Sequence, residues 1–97
     1  MATISKKELV HKIADITHAN KVVVRKIVQS FIDEITDELA KNNRIEFRDF
    51  GVFKTIKRPS RMAQNPKTLE KVQVEAKRKV KFKMGRVMKQ KLGKAED

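Results

Sequence analysis

From Lys57 to Lys71 the chain reads KRPSRMAQNPKTLEK, a stretch nearly devoid of apolar side chains, after which alternation returns at Val72, Val74 and Ala76. Such a segment has too little apolar surface to fold back onto a body, so it is expected to project as a ribbon with charged sides and a turn near 65 to 69. Legs of about seven residues at about 3.4 Å each reach roughly 24 Å. An isolated ribbon is not stable in water, so the arm is expected to be mobile until bound. Pro66 lies in its middle, where it neither packs nor ends a helix.

The residues before the ribbon change period once. Ser5 and Glu8 form an S-x-x-E capping box, and Leu9, Val10, Ile13 and Ile16 recur at helical spacing up to THAN, where Asn20 is a second N-cap candidate. Val24, Ile27, Val28, Phe31, Ile32, Ile35 and Leu39 then form a stripe too broad for a small helix with one neighbour, which predicts a buried or intersubunit helix. Asp33, Glu34, Asp37, Glu38 and Lys41 mark its solvated face, with Asp37 and Lys41 spaced for an i,i+4 pair.

Asparagines at KNN, residues 41 to 43, interrupt this helix, and the period then falls to two. RIEFR and VFKTIK read as strands joined at DFG, with Val52, Lys54 and Ile56 on one face and Phe53 and Thr55 on the other. Gly51 is the residue expected to supply a positive φ, with Asp49 the next most tolerant. Phe47, Phe50, Phe53 and Phe82 are expected to pack a core rather than to stack on bases. The closing VKFKMGRVMKQKL is read as a short helix with Met84, Val87, Met88 and Leu92 on its apolar side. Lys83, Arg86 and Lys89, at i, i+3 and i+6, are placed to meet one phosphate strand.

Composition bears on the partner. The net charge of +12 is lopsided: residues 1–53 hold nine Lys/Arg against eight Asp/Glu, whereas residues 54–97 hold fifteen against four. That imbalance calls for a polyanion, nucleic acid ahead of an anionic membrane surface. Ninety-seven residues make one small domain whose isolated monomer would be marginal, so a core shared with a second chain is expected. No cysteine is present, which leaves no disulfide, thiolate zinc site or thiol nucleophile. Without an apolar run of membrane-spanning length or a signal-peptide core at MATISKKELVHK, the expectation is an intracellular soluble protein. No catalytic motif frames a serine. His11 and His18 read as surface residues, and His11 with Asp15 is too weak a pattern for a metal, so neither catalysis, a metal nor a cofactor is expected.

The order helix, helix, hairpin, basic arm, short helix, carried by RIEFRDFGVF, RMAQNPKTLEKV and VKFKMGRVMKQKL, resembles the bacterial histone-like HU and integration host factor family across residues 4 to 92. The resemblance implies an α+β fold in an intertwined homodimer: two N-terminal helices, a three-stranded antiparallel sheet extended into a β-ribbon arm, and a short C-terminal helix. Within one domain, 1–97, the divisions are a helical dimerisation region at 1–43, a sheet saddle at 44–56 and 72–82, an arm at 57–71, a helix at 83–92 and a tail at 93–97. Phe31, Ile35, Phe47, Phe50, Phe53 and Phe82 would form the dimer core. Two arms would embrace duplex DNA from the minor-groove side, Pro66 matching the family's intercalating proline. A proline ring has no amide hydrogen to satisfy and is stiff and apolar, which suits it to press between base pairs.

By the same resemblance Arg58, Arg61, Gln64 and Asn65 would line the groove, with Lys57, Lys67 and Lys71 along the arm, while Lys6, Arg78, Lys83, Arg86 and Lys89 would hold flanking phosphates. The implied activity is bending of duplex DNA, especially where it is already bent, nicked or kinked, and compaction of the nucleoid in the cytoplasm. A site-specific integration-host-factor-like role, a heterodimer with a paralogue, and a basic RNA-binding module are the alternatives; no membrane role is expected. The chain departs from the family pattern in Gln64 for an arginine, Leu69 and Asp49 for turn glycines, and Val80 and Met84 for prolines.

Overall fold

The computed structural model describes residues 1–93, so four of the five positions of the expected tail, 94–97, lie outside the described residues. It divides into two compact units, Met1–Asp37 and Glu38–Asp97.

The first unit is helical. Helix α1 spans Lys6–Thr17, started by Ser5, whose Oγ accepts from the Glu8 N–H at 3.2 Å. It stops at His18, which takes a left-handed φ of 56° so that the Ala19 N–H can reach the Ala14 carbonyl at 3.0 Å. Helix α2, Lys21–Ala40, begins at Asn20, whose Oδ1 accepts from the amides of Val22 at 2.8 Å and Val23 at 3.4 Å. Both sequence-level N-caps are therefore in place. Val10, Ala14 and Val24 make a small buried cluster with Val28 against it. Much of the broad α2 stripe stays open within one chain: Ile27 is 62% and Phe31 53% exposed.

The second unit starts with the last turn of α2. The helix ends at Ala40, so Lys41 lies in the turn and pairs with Glu38 at 3.5 Å rather than with Asp37. Asn42 adopts φ 65° there, and the Asn43 side chain donates to Glu38 Oε2 at 2.8 Å. That bond, with the Lys41 charge, holds the Glu38 carboxyl below the usual carboxylate range.

Strands β1 (Ile45–Phe47), β2 (Gly51–Arg58) and β5 (Lys77–Met84) form an antiparallel sheet in the order β1-β2-β5. Strands β3 (Arg61–Gln64) and β4 (Lys71–Val74) form a separate two-stranded ribbon. Helix α3, Arg86–Leu92, closes the described chain. The fold is thus the expected α+β arrangement, with shifted boundaries. Lys57 and Arg58 belong to the sheet rather than the arm, Val72 and Val74 to the ribbon rather than the sheet, and Lys83 and Met84 to β5 rather than α3. Alternation in VKFKM runs on to Gly85, and only there can a helix begin.

Sheet register explains the phenylalanines. Phe53 pairs with Phe82 on β5 and with Ile45 on β1, and directly opposed residues share a face. The rings of Phe53 and Phe82 lie 4.7 Å apart, Phe50 and Phe82 5.6 Å, Phe47 and Phe50 6.0 Å, and Phe47 and Phe53 6.2 Å. Pairs at these separations add about 0.5–1.5 kcal/mol each beyond the area they bury.

At the hairpin the expected roles of Gly51 and Asp49 are exchanged. Asp49 carries the positive φ, 66°, while Gly51 does not. Gly51 is required for space, because a Cβ there would meet the Phe82 ring at 2.5 Å and the Lys83 carbonyl at 2.7 Å. Asp49 also anchors α3: its carbonyl accepts from the Val87 N–H at 3.0 Å, and its carboxylate faces Arg86 Nε at 3.8 Å.

Candidate nucleic-acid interface

The ribbon is closed by residues 65–70. The Asn65 N–H donates to the Glu70 carbonyl at 2.9 Å, and the Leu69 N–H returns to the Asn65 carbonyl at 2.7 Å. Asn65 Oδ1 accepts from the Lys67 N–H at 3.0 Å, and Thr68 Oγ1 from the Glu70 N–H at 3.4 Å. Pro66 occupies the first position inside this turn, exposed, where no amide is required of it. The Asn65 side-chain oxygen is therefore committed to turn geometry. Gln64, which stands in place of an arginine, donates from Nε2 to the Leu69 carbonyl at 3.3 Å and so braces the turn.

Along the ribbon the register pairs Arg61 with Val74, Ala63 with Val72, Met62 with Gln73 and Gln64 with Lys71. Arg61 is consequently on one face with Ala63, Val72 and Val74, and Gln64 and Lys71 are on the other. Of the residues expected together in the groove, Arg61 and Gln64 are thus on opposite faces of the arm, Asn65 lies past the end of β3 and Arg58 lies on β2. Lys67 lies in the exposed turn.

Where the ribbon joins the sheet, the two sheet faces differ sharply. Val52, Lys54, Ile56 and Arg58 on β2 oppose Lys83, Lys81, Lys79 and Lys77 on β5. Six exposed cations, Lys54, Arg58, Lys77, Lys79, Lys81 and Lys83, therefore share one face, repeating about every 6.8 Å along β5 and flanking Ile56 on β2. The other face carries the phenylalanines. Arg58 and Lys83 are among the residues expected to contact a polyanion, whereas Lys54, Lys77, Lys79 and Lys81 are not, although in KRKVKFK a cation recurs at every second position.

Three expected phosphate contacts have partners within the fold. Arg78 shares the face of Phe82, and its Nη1 donates at 2.8 Å both to the Ala40 carbonyl and to Asn42 Oδ1, tying the end of α2 to the sheet. Arg86 faces Asp49 at 3.8 Å. Lys6 donates to Gln29 Oε1, and Gln29 in turn donates to Asp33 Oδ1 at 2.8 Å. In the helical unit Lys6, Lys7, Lys21 and Arg25 line a cavity of about 390 Å³. Lys57 pairs with Arg78 across the sheet, and Lys89 lies exposed on α3, which separates it from the strand residue Lys83.

Ring contacts join Phe47, Phe50, Phe53 and Phe82 within the second unit, and Phe31 and Ile35 lie on α2.

A family model described as bacterial DNA-binding protein matches residues 4–93. A probable DNA-binding protein HU from Chlamydia pneumoniae is 40% identical over 90 residues, spanning 92% of this chain and 90% of the relative. Its counterpart from Chlamydia trachomatis serovar D is 39% identical over the same shares. Among solved structures, an Anabaena HU–DNA cocrystal structure superposes with a TM-score of 0.84 at 26% identity, over 92% of this chain and 97% of that one. An HU mutant from Thermotoga maritima gives 0.69 at 27% identity, over 93% and 100%. With the α+β order, the paired ribbon and the cationic sheet face all in place, the chain belongs to the bacterial HU and integration host factor family of DNA-binding proteins.

Proposed function

We propose that this HU-type DNA-binding protein acts as a homodimer that bends duplex DNA by pressing Pro66 of each arm between base pairs from the minor groove, and so compacts the nucleoid in the cytoplasm. The observation that carries this reading is the position of Pro66: exposed, inside a turn held by backbone and Asn65 bonds, at the end of a two-stranded ribbon whose legs adjoin, along the chain, the strands that carry the six-cation sheet face. Architectural proteins of this family are known to insert apolar wedges into base steps and so kink the duplex. Unstacking costs a few kcal/mol per step, offset by the longer path of phosphate contacts that a bent duplex makes.

The cations supply grip without sequence reading, since phosphate contacts carry no base information and the minor groove separates A·T from G·C only. Relatives named HU favour the branch with little sequence preference over site-specific marking. Homodimerisation is supported by the shortage of core within one chain: among the described residues Val10, Ala14, Val24 and Leu39 are the buried hydrophobics, and none is less than 2% exposed.

Affinity should be compared for nicked or kinked duplex, straight duplex and structured RNA. Preference for the nicked or kinked duplex is expected. Equal affinity for all three would leave only a basic module and overturn the reading.

A further inference from the structure

Among the described residues, four other than glycine hold a positive φ: His18, Asn42, Asp49 and Leu69. Three are of types that tolerate the left-handed region, and each sits at a helix end or turn whose geometry demands it. Leu69 is the exception. Its φ is 61°, a conformation that disfavours a leucine, and its side chain is 68% exposed, so the body of the protein gains little from it. Glycine or asparagine would hold the same turn without strain. Other exposed apolar residues of the ribbon, Met62 and Val72, lie on regular strand backbone and carry no such cost.

A strained, exposed, apolar residue held at a fixed place points to a contact made outside the free protein. The place is specific. Leu69 lies three residues beyond Pro66 in the same turn, and both its backbone polar groups are bonded: its N–H to the Asn65 carbonyl and its carbonyl to Gln64 Nε2. It can therefore enter an apolar environment without burying an unpaired backbone group of its own. Leucine is among the side chains that serve as wedges in minor-groove proteins, and the groove walls present deoxyribose carbon.

We propose that Leu69 is a second apolar DNA contact of the arm tip, packing in the minor groove beside the step that Pro66 opens. This rests on the wedge reading of Pro66 and adds to it a residue particular to this chain. Gln64 acquires a role as well, because its bond to the Leu69 carbonyl positions the leucine in the turn.

The test uses the full-length protein and a nicked duplex, with affinity read by fluorescence anisotropy and bending by energy transfer between end labels. Leu69→Gly and Leu69→Asn both suit the observed φ and so preserve the turn, which hydrogen exchange at the Asn65 and Lys67 amides would check. Each should weaken binding about tenfold, the loss expected for a leucine no longer buried. Leu69→Met keeps an apolar side chain and should bind within about twofold of the parent. Were Leu69 only an ill-fitting turn residue, the glycine and asparagine variants would bind as tightly as the parent or more so, and the proposal would fall. Pro66→Ala in the same assays separates the two readings. Unchanged bending there, with weakened Leu69 variants, would remove the wedge and leave the leucine contact; lost bending there, with unaffected Leu69 variants, would do the reverse.

Discussion

Gly51 lies so close beneath the ring of Phe82 that a single added carbon would sit 2.5 Å from its Cζ and 2.6 Å from its Cε1. The Lys83 carbonyl, at 2.7 Å from the same point, closes the other side and cannot swing away as a side chain can. Gly51→Ala should therefore destabilise the protein by about 2–3 kcal/mol, the range for overpacking a site that cannot relax. Thermal unfolding would check this, and an unchanged melting temperature would mean that the hairpin and β5 shift apart readily.

Arg78 and Lys81 are both exposed cations on β5, but they face opposite sides of the sheet and should behave differently. Arg78→Ala removes the bonds to the Ala40 carbonyl and Asn42 Oδ1, so it should cost about 1 kcal/mol of stability and leave the salt dependence of DNA binding nearly unchanged. Lys81→Ala should leave stability alone and reduce the slope of log affinity against log salt by about 0.9 for each phosphate it neutralises. Titrations at several salt concentrations distinguish the two, and a reduced slope for Arg78→Ala would restore it as a phosphate contact.

Much of this architecture was legible from short-range chemistry. Ser5, Asn20 and the KNN turn act through bonds to residues within a few positions, and all three work where the sequence places them. What escaped depends on residues far apart in the chain. The need for glycine at 51 comes from Phe82, and the structural role of Arg78 comes from Asn42; neither is visible without the β2–β5 register. Apolar spacing in a segment as short as VKFKM fits either period, so Lys83 and Met84 read equally as helix or strand. For the same reason Lys77, Lys79 and Lys81 become one surface only on a strand.

Glu38 reports on the end of α2. Its carboxyl is held low first by the Asn43 side-chain bond and then by the Lys41 charge. A depressed carboxylate contributes stability above its unfolded pKa and loses it as pH falls through the folded value. Asn43→Ala should move the Glu38 titration back up toward the ordinary carboxylate range, as followed by NMR. No movement would show that the bond does not form in solution.

The exposed stripe on α2, with Ile27 at 62% and Ile32 at 39%, predicts a dimer by sedimentation and a melting temperature that rises with protein concentration. A folded monomer at micromolar concentration would contradict the shared core.

Energy transfer between labels at the ends of a straight duplex should rise when the protein binds, and Pro66→Ala should reduce that rise by more than it reduces affinity. A duplex that stays straight when bound, or one that Pro66→Ala bends as fully as the parent does, would contradict the account.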